Sequence, residues 1–404
     1  MPDLADPALY EVGVPYAEFA RLRRESPVHW TPEKDGTGFW SVLRYADIVD
    51  VSRDPKLYSS AHEWGGHRIF NENEVGLTGA GSSEFGVPMI SRDPPGHTRY
   101  RKVTMPALVP KRISGLEDRI RARVGALVDA VPKNQTIDIV EWLSAPVPLL
   151  TLAELLGVGP EMCPKLFEWT NAFIGEDDPE FRQSPASMAA TLDEFFAFCR
   201  ELFVERRANP NGDLVSMLAA TEIDGAPMTV PDFLANCVLL TVGGNETIRN
   251  TTSHAIIQLA QHPEQWALVR ADPGILARGV KEMVRHASPV LHMRRTATQD
   301  TVLSGTRIAR GDKVVMWYPS GNRDESIVDD PDRFDLARTE IPNLGFGTGQ
   351  HICAGSRIAE MQLRIVFETL AKSVNGFELS APPRRLRSNF ISGIKDLPVV
   401  LHAA

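Results

Sequence analysis

Leu344-Gly345-Phe346-Gly347-Thr348-Gly349-Gln350-His351-Ile352-Cys353-Ala354-Gly355 is the stretch on which the reading of this chain turns. Alternating glycines lead up to a lone cysteine, and another follows it by two residues. Glycine permits positive φ and lets a flat ligand approach the backbone closely. Behind the loop, Ile358, Met361 and Ile365 recur at near-helical spacing, so the cysteine stands just ahead of a helix. A helix N-terminus favours thiolate over thiol. An anionic sulfur presented this way suits a metal, a nucleophilic role or a redox role; for an arbitrary cysteine, plain core packing is the commoner reading. Zinc would need partners at ligand spacing, and His351 and Cys353 have no second Cys or His pair beside them. A phosphate loop would need a preceding apolar strand and a Lys-Ser/Thr pair.

What remains is a single axial thiolate on haem iron, which pushes electron density towards O–O cleavage. Phe346-x-x-Gly349-x-x-x-Cys353-x-Gly355 resembles the haem-binding signature of the cytochrome P450 family. Upstream, Gly243-Gly244-Asn245-Glu246-Thr247 is similar to the family's oxygen-activating motif, with Ile248 where Thr or Ser often follows. Lys281-Glu282-Met283-Val284-Arg285 contains its Glu-x-x-Arg pair. The resemblance covers nearly the whole chain.

It implies a mainly α fold, a large helical domain with small β-sheets, and b-type haem between a long central helix and the cysteine loop. Cys353 is the implied axial ligand, with Phe346, Gly347, Gly349, Ala354, Gly355, Gly243 and Gly244 shaping the cofactor site. His97, Arg101, Arg294 and His351 are the expected propionate donors, and Glu246 and Thr247 the proton-handling pair. Glu282, Arg285 and Arg333 form the expected buried structural trio. The expected substrate contacts are Phe85, Ile90, Leu239, Val242, Asn245, Val290, His292, Phe390 and Ile391. An apolar lining of this kind takes a terpenoid, steroid or fatty-chain molecule. The implied activity is insertion of one atom of O2 into a C–H bond. Peroxide-driven turnover and haem-based sensing are the competing readings; an intact Glu246–Thr247 pair counts against the first, and loss of coupled turnover in Thr247→Ala would count against the second.

Composition sets bounds. The 404 residues suffice for a large core, and 43% hydrophobic with 24% charged residues is ordinary for a globular protein. A net charge of −9 argues against a general nucleic-acid binder. Four cysteines without paired spacing suit a reducing compartment. No basic-then-apolar leader and no bilayer-length apolar run is visible, so a cytoplasmic protein without a membrane anchor is expected. Nor is there a flavin, nicotinamide or iron–sulfur motif. Electrons are therefore expected from a ferredoxin with its reductase, docking where Arg99, Arg101, Lys102, Lys111 and Arg112 could form a basic patch. A monomer is expected.

Along the chain, residues 1–404 read as one domain. Residues 1–100 mix helix (Tyr16–Ser26) with short strands (Val28–Thr31, Gly38–Arg44), and a polar loop over 59–96 covers the pocket. Residues 101–404 read as helix-rich. Helical pieces are predicted at 114–131, 146–157, 161–174, 188–207 and 212–220, with Phe173–Pro185 as a lid. The longest candidate is Val230–His262, capped near Thr229 and stopped by Pro263. Gly243 and Gly244 cost it about 1 kcal/mol each relative to alanine, which asks for a reason: close approach of a cofactor, or of another helix. A local opening at Thr247 is expected to admit water. Ser288–Arg294 reads as extended, and Thr301–Ile308 with Lys313–Tyr318 as one small sheet.

Overall fold

Short strands and helices come first, helices fill the long middle, and strands return near the end. The computed structural model describes residues 3–34, 36–69, 86–105, 110–211, 213–223 and 225–404. Among them the first helices are α1 (Tyr16–Glu25), α2 (Tyr45–Arg53), α3 (Gly96–Thr104), α4 (Pro110–Ala130), α5 (Pro146–Leu156) and α6 (Cys163–Ile174). There follow α7 (Pro185–Ala208), α8 (Leu214–Ala219), α9 (Val230–Gln261), α10 (Pro263–Ala271), α11 (Leu276–Ala287), α12 (Tyr318–Gly321) and α13 (Ser356–Leu370). The five helical pieces predicted between 114 and 220 correspond to α4 to α8.

The early strands are β1 (Val28–Thr31), β2 (Phe39–Val42), β3 (Tyr58–Ser59), β4 (Thr136–Asp138), β5 (Glu222–Ile223) and β6 (Ala226–Pro227). The later ones are β7 (His292–Ala297), β8 (Thr301–Leu303), β9 (Thr306–Ile308), β10 (Lys313–Trp317), β11 (Val374–Leu379), β12 (Arg384–Arg385), β13 (Ile394–Asp396) and β14 (Pro398–Ala403). The largest sheet runs β1-β2-β10-β7-β3, with β10 parallel to β2 and antiparallel to β7. The single small sheet predicted over 301–318 is not formed. Every residue of β10 is buried, which requires an interior strand with both faces covered. β8 and β9 instead form their own hairpin, turned by Ser304 and Gly305 at φ of 45° and 79°.

α9 is the axis. The Thr229 hydroxyl accepts from the Asp232 amide at 3.3 Å, a proline stands in the first turn, and Pro263 follows the end. Its 32 residues make a rod of roughly 48 Å. α5, α6, α7, α11 and α13 all pack on it, and one apolar core joins them from Met89 to Leu401. The helix runs from Val230 to Gln261, and at Thr247 the hydroxyl donates back to the Gly243 carbonyl at 3.1 Å, a bond of the kind that often bends a helix.

The candidate haem site

The cysteine loop closes on itself, with the Cys353 amide donating to the Phe346 carbonyl at 2.8 Å. Gly347 and Gly349 sit at φ of 67° and 69°, where a side chain is strained, and a Cβ on Gly349 would lie 2.2 Å from the Ser52 carbonyl oxygen on α2. Phe346 and Ala354 pack onto the main core. Cys353 thus sits at the entrance to α13, and of the four cysteines it alone is exposed. Burial of the loop pushes its thiol up, against the Gly355 amide, Arg101 and the Ser356 amide, which favour thiolate. A sulfur held in this balance becomes a thiolate when a metal displaces its proton.

In the middle of α9 Gly243 is exposed, and a Cβ there would meet nothing within 4 Å. No helix packs on it, so helix packing does not explain this glycine. Gly244 has only Leu152 at 3.7 Å. Thr247, one turn on, shares this face. α9 thus presents open backbone and the cysteine loop an accessible sulfur, features that fit a flat ring carrying iron.

A ring with acidic edges needs cations, and the structure supplies them. The His97 and His351 rings lie 4.1 Å apart, and His351 Nε2 is 3.0 Å from Ser60 Oγ. Burial, then Arg101 and Arg295, lowers His97 to about 4. Burial, then Arg295 and His97, lowers His351 to about 2. Arg101 is half-buried and close enough to Cys353 for that sulfur to bear on its charge. A cluster whose members depress one another is relieved by bound carboxylates, which fits the haem propionates.

The sequence expectation for Arg294 is corrected here. Adjacent residues on a strand face opposite sides, and it is Arg295 that acts on His97 and His351. Arg294 turns towards the Trp64 carbonyl, 3.3 Å from its Nη2.

Glu246 is completely buried. Arg249 Nη2 lies 2.7 Å from its carboxylate, and Asn250 Nδ2 and Asn245 Nδ2 each lie at 3.4 Å. Burial raises its pKa, while Arg249 and Asn250 lower it; the net direction is up. Asn245 is not a substrate contact. At about 100° per residue it points roughly 200° away from Gly243, and it is fully buried on the far side of α9. His292 is also corrected: it is buried, with Nε2 accepting from the Ile69 amide at 3.0 Å and Nδ1 donating to the Asn389 carbonyl at 2.9 Å. Both ring nitrogens tie chain segments together.

Ile391 clusters with Ile174 and Leu386, and Val242, Val290, Phe390 and Phe181 pack against them. A bridge joins Val290 to Ile391. Leu239 is half-buried one turn before Gly243, and Ile90 half-buried beside Met89, whose amide donates to Asn236 on α9 at 3.1 Å. Phe85 lies outside the described residues. Ile174 and Phe181 come from the segment Phe173–Pro185, whereas Leu386, from a remote stretch after β12, carried no sequence signal.

Of the structural trio, Glu282 and Arg285 are fully buried and bidentate, at 2.6 and 2.8 Å. The third side chain is Arg338, whose Nε is 3.3 Å from Glu282. Arg333 offers only its carbonyl, 3.3 Å from Arg285 Nη2, and its side chain is 61% exposed. Of the expected basic patch, Arg101 belongs to the inner cluster and Arg99 and Lys102 are exposed; the side chains of Lys111 and Arg112 lie outside the described residues. Among the described residues no group of three His, Cys, Asp or Glu side chains could hold a metal ion, and no helix is long and apolar enough to cross a membrane.

Residues 275–393 match the family model described as Cytochrome P450. The chain is 60% identical over 400 residues to linalool 8-monooxygenase of Pseudomonas putida, covering 99% of this chain and 98% of that protein. It is 37% identical to the methyl-branched lipid omega-hydroxylase of Mycobacterium tuberculosis, covering 94% and 90%. A Mycobacterium marinum cytochrome P450 in complex with pseudoionone superposes with a TM-score of 0.88 at 33% identity, covering 96% of this chain and 94% of that one. With this likeness running from end to end, the chain belongs to the cytochrome P450 family.

Proposed function

We propose that this cytochrome P450 monooxygenase hydroxylates an acyclic terpenoid and draws its electrons from a ferredoxin. The observation that carries the substrate reading is the apolar cluster of Val242, Val290, Phe390, Ile391, Ile174 and Phe181, set beside the open Gly243–Thr247 face of α9. Such a lining binds by apolar burial with few polar anchors. The 60% identity to a linalool monooxygenase supports a terpenoid over a sterol.

When bound, haem supplies the cleavage of O2 and transfer of one oxygen atom to carbon. Cys353 would hold it through its sulfur, and His97, Arg101, Arg295 and His351 would hold its carboxylates. Thr247 offers a hydroxyl on the open face, with lone pairs free to accept while its proton rests on the Gly243 carbonyl. Glu246, adjacent in sequence, is the acid of the pair: burial raises its pKa, against Arg249 and Asn250, which favours its taking up and passing on a proton. Arg99 and Lys102 on α3 are exposed, as is Ile352 in the cysteine loop, and exposed cations of this kind suit a small acidic ferredoxin. A single domain over residues 1–404, working as a cytoplasmic monomer, belongs to the same proposal.

Titration of the ferric holoenzyme with linalool, a sterol and a fatty acid tests it through the low- to high-spin Soret shift. A saturable shift with linalool, followed by one hydroxylated product, is expected. A shift with the sterol or the fatty acid but not with linalool would overturn the terpenoid assignment.

A further inference from the structure

We propose that Asn389 is a positioning residue for substrate selection, which fixes the pocket wall against the N-terminal segment 4–11. The proposal rests on the reading of Phe390 and Ile391 as part of that wall. Asn389 is 7% exposed, and its side-chain amide donates to the Ala5 carbonyl at 2.7 Å. Its backbone carbonyl accepts from His292 Nδ1 at 2.9 Å. One residue thus joins segments from the two ends and the later middle of the chain, and it adjoins Phe390 directly.

The residues beside it are wound tightly. Ser388 Oγ accepts from the amides of Phe390 and Ile391 at 3.1 and 3.2 Å, the hydroxyl turn that a serine favours. The Phe390 carbonyl accepts from the Leu291 amide at 2.8 Å, and the Val290–Ile391 bridge lies beside it. These bonds hold the wall to the segment that leads into β7. The bond to Ala5 ties it to a separate part of the chain, and a wall on two supports has less freedom than a wall on one.

The N-terminal segment is itself firmly seated. Leu4 and Tyr10 are buried in one apolar cluster with Ile69, Leu291 and Trp317, and Tyr10 stacks on Trp317 with ring centroids 6.0 Å apart. The Tyr10 hydroxyl donates to the Leu4 carbonyl at 3.0 Å, and Asp3 Oδ1 accepts from the Ala5 amide at 2.9 Å. The Asp6 side chain caps the 3-10 turn Pro7–Glu11. Ala5 is therefore fixed on either side, with its carbonyl committed to Asn389. Packing accounts for Leu4 and Tyr10, but not for a buried amide next to Phe390 whose hydrogen bond crosses to Ala5; an apolar residue there would avoid the desolvation of that amide. Through this bond the seating of residues 4–11 reaches the substrate. A small displacement of Phe390 changes which carbon of a flexible chain lies nearest the reacting centre, and selection among similar C–H bonds rests on small differences. An acyclic terpenoid, which can bend to offer several such carbons, is more sensitive to this than a rigid sterol.

Two point variants of the holoenzyme test the proposal: Asn389→Ala removes the amide, and Tyr10→Phe loosens the support. In Asn389→Ala, hydrogen exchange at the Leu291 amide should quicken about tenfold, the effect of one lost hydrogen bond. Linalool should bind several-fold more weakly by its spin shift, and its single hydroxylated product should become a mixture, at a temperature where the variant is fully folded. Tyr10→Phe should move the product ratio the same way, and adding it to Asn389→Ala should move the ratio no further. Tyr10→Phe is nearly isosteric and carries the test if Asn389→Ala does not fold. An unchanged product ratio in Asn389→Ala, even with a lower Tm, would make the asparagine merely structural and overturn the proposal. An unchanged ratio in Tyr10→Phe, or additive shifts in the double variant, would overturn the part assigned to the N-terminal segment. If the wild type gives no shift with linalool, the terpenoid reading fails by itself; the exchange rate at Leu291, which needs no substrate, still decides whether Asn389 positions the wall.

Discussion

Two neighbouring arginines show how much depends on the direction of one side chain. Arg295 bears on His97 and His351, while Arg294 is turned to the Trp64 carbonyl. Replacing Arg295 by Leu should speed haem loss about tenfold, the worth of one charge-assisted hydrogen bond at ~1.4 kcal/mol, whereas Arg294→Leu should leave it nearly unchanged. Transfer of haem to apomyoglobin measures both. Thr247→Ala removes the one hydroxyl placed beside Gly243 on the open face. Product per reductant should fall by about tenfold or more, within the range of a positioned proton donor, with the substrate spin shift intact. Equal coupling in wild type and variant would count against the relay.

Elements differ in how plainly the sequence announced them. The cysteine loop, α9 and the Glu282–Arg285 pair are local patterns, set by glycines, caps and a three-residue spacing. Strand β7 is local too, but a one-residue choice there exchanges faces, which is how Arg294 was taken for Arg295. Asn245 could have been placed correctly from helical geometry alone, since it lies opposite Gly243. His292 and Arg338 could not: their partners, Ile69, Asn389 and Glu282, arrive from remote segments. The loop and the trio make separate stability predictions. Gly349→Ala combines a φ of +69° with a clash against Ser52 and should cost about 2 kcal/mol or more in denaturant unfolding. Arg338→Ala leaves the buried Glu282 short of a partner and should cost about 1–3 kcal/mol, while Arg333→Ala stays within about 0.5 kcal/mol.

At the scale of the molecule, acid is the weak side. His67 and His292 are 7% and 0% exposed, and burial first, then nearby arginines, lowers both to about 3; for His292 the Asn389 carbonyl opposes the fall. Unfolded, each takes up a proton below about pH 6.5, whereas the folded rings stay neutral, so their stabilisation is complete above that pH and drains as pH falls towards 3. Each can contribute up to about 1.4 kcal/mol per pH unit, and a Tm series from pH 7.5 to 5 should show the decline. The segment between α6 and α7, the proposed lid, is tied down as well. Buried Asp178 accepts from Lys395 at 3.0 Å and from the Arg387 amide at 2.9 Å, Glu180 meets Arg384 at 3.1 Å, and Arg68 pairs with Glu176. Lys395→Ala should raise both the on-rate and the off-rate of linalool in stopped-flow mixing; unchanged rates would show that the tie does not gate access.

Phe390 and Ile391, of the proposed pocket wall, lie on the stretch that runs from Arg387 into β13 at Lys395, two residues that tie down the proposed lid. Taste and tempo are thus written in one ribbon of chain. A lineage, or an engineer, that reshapes this stretch to accept a new molecule also resets how long any molecule stays, so selection for a broader diet would be expected to bring a leakier door with it.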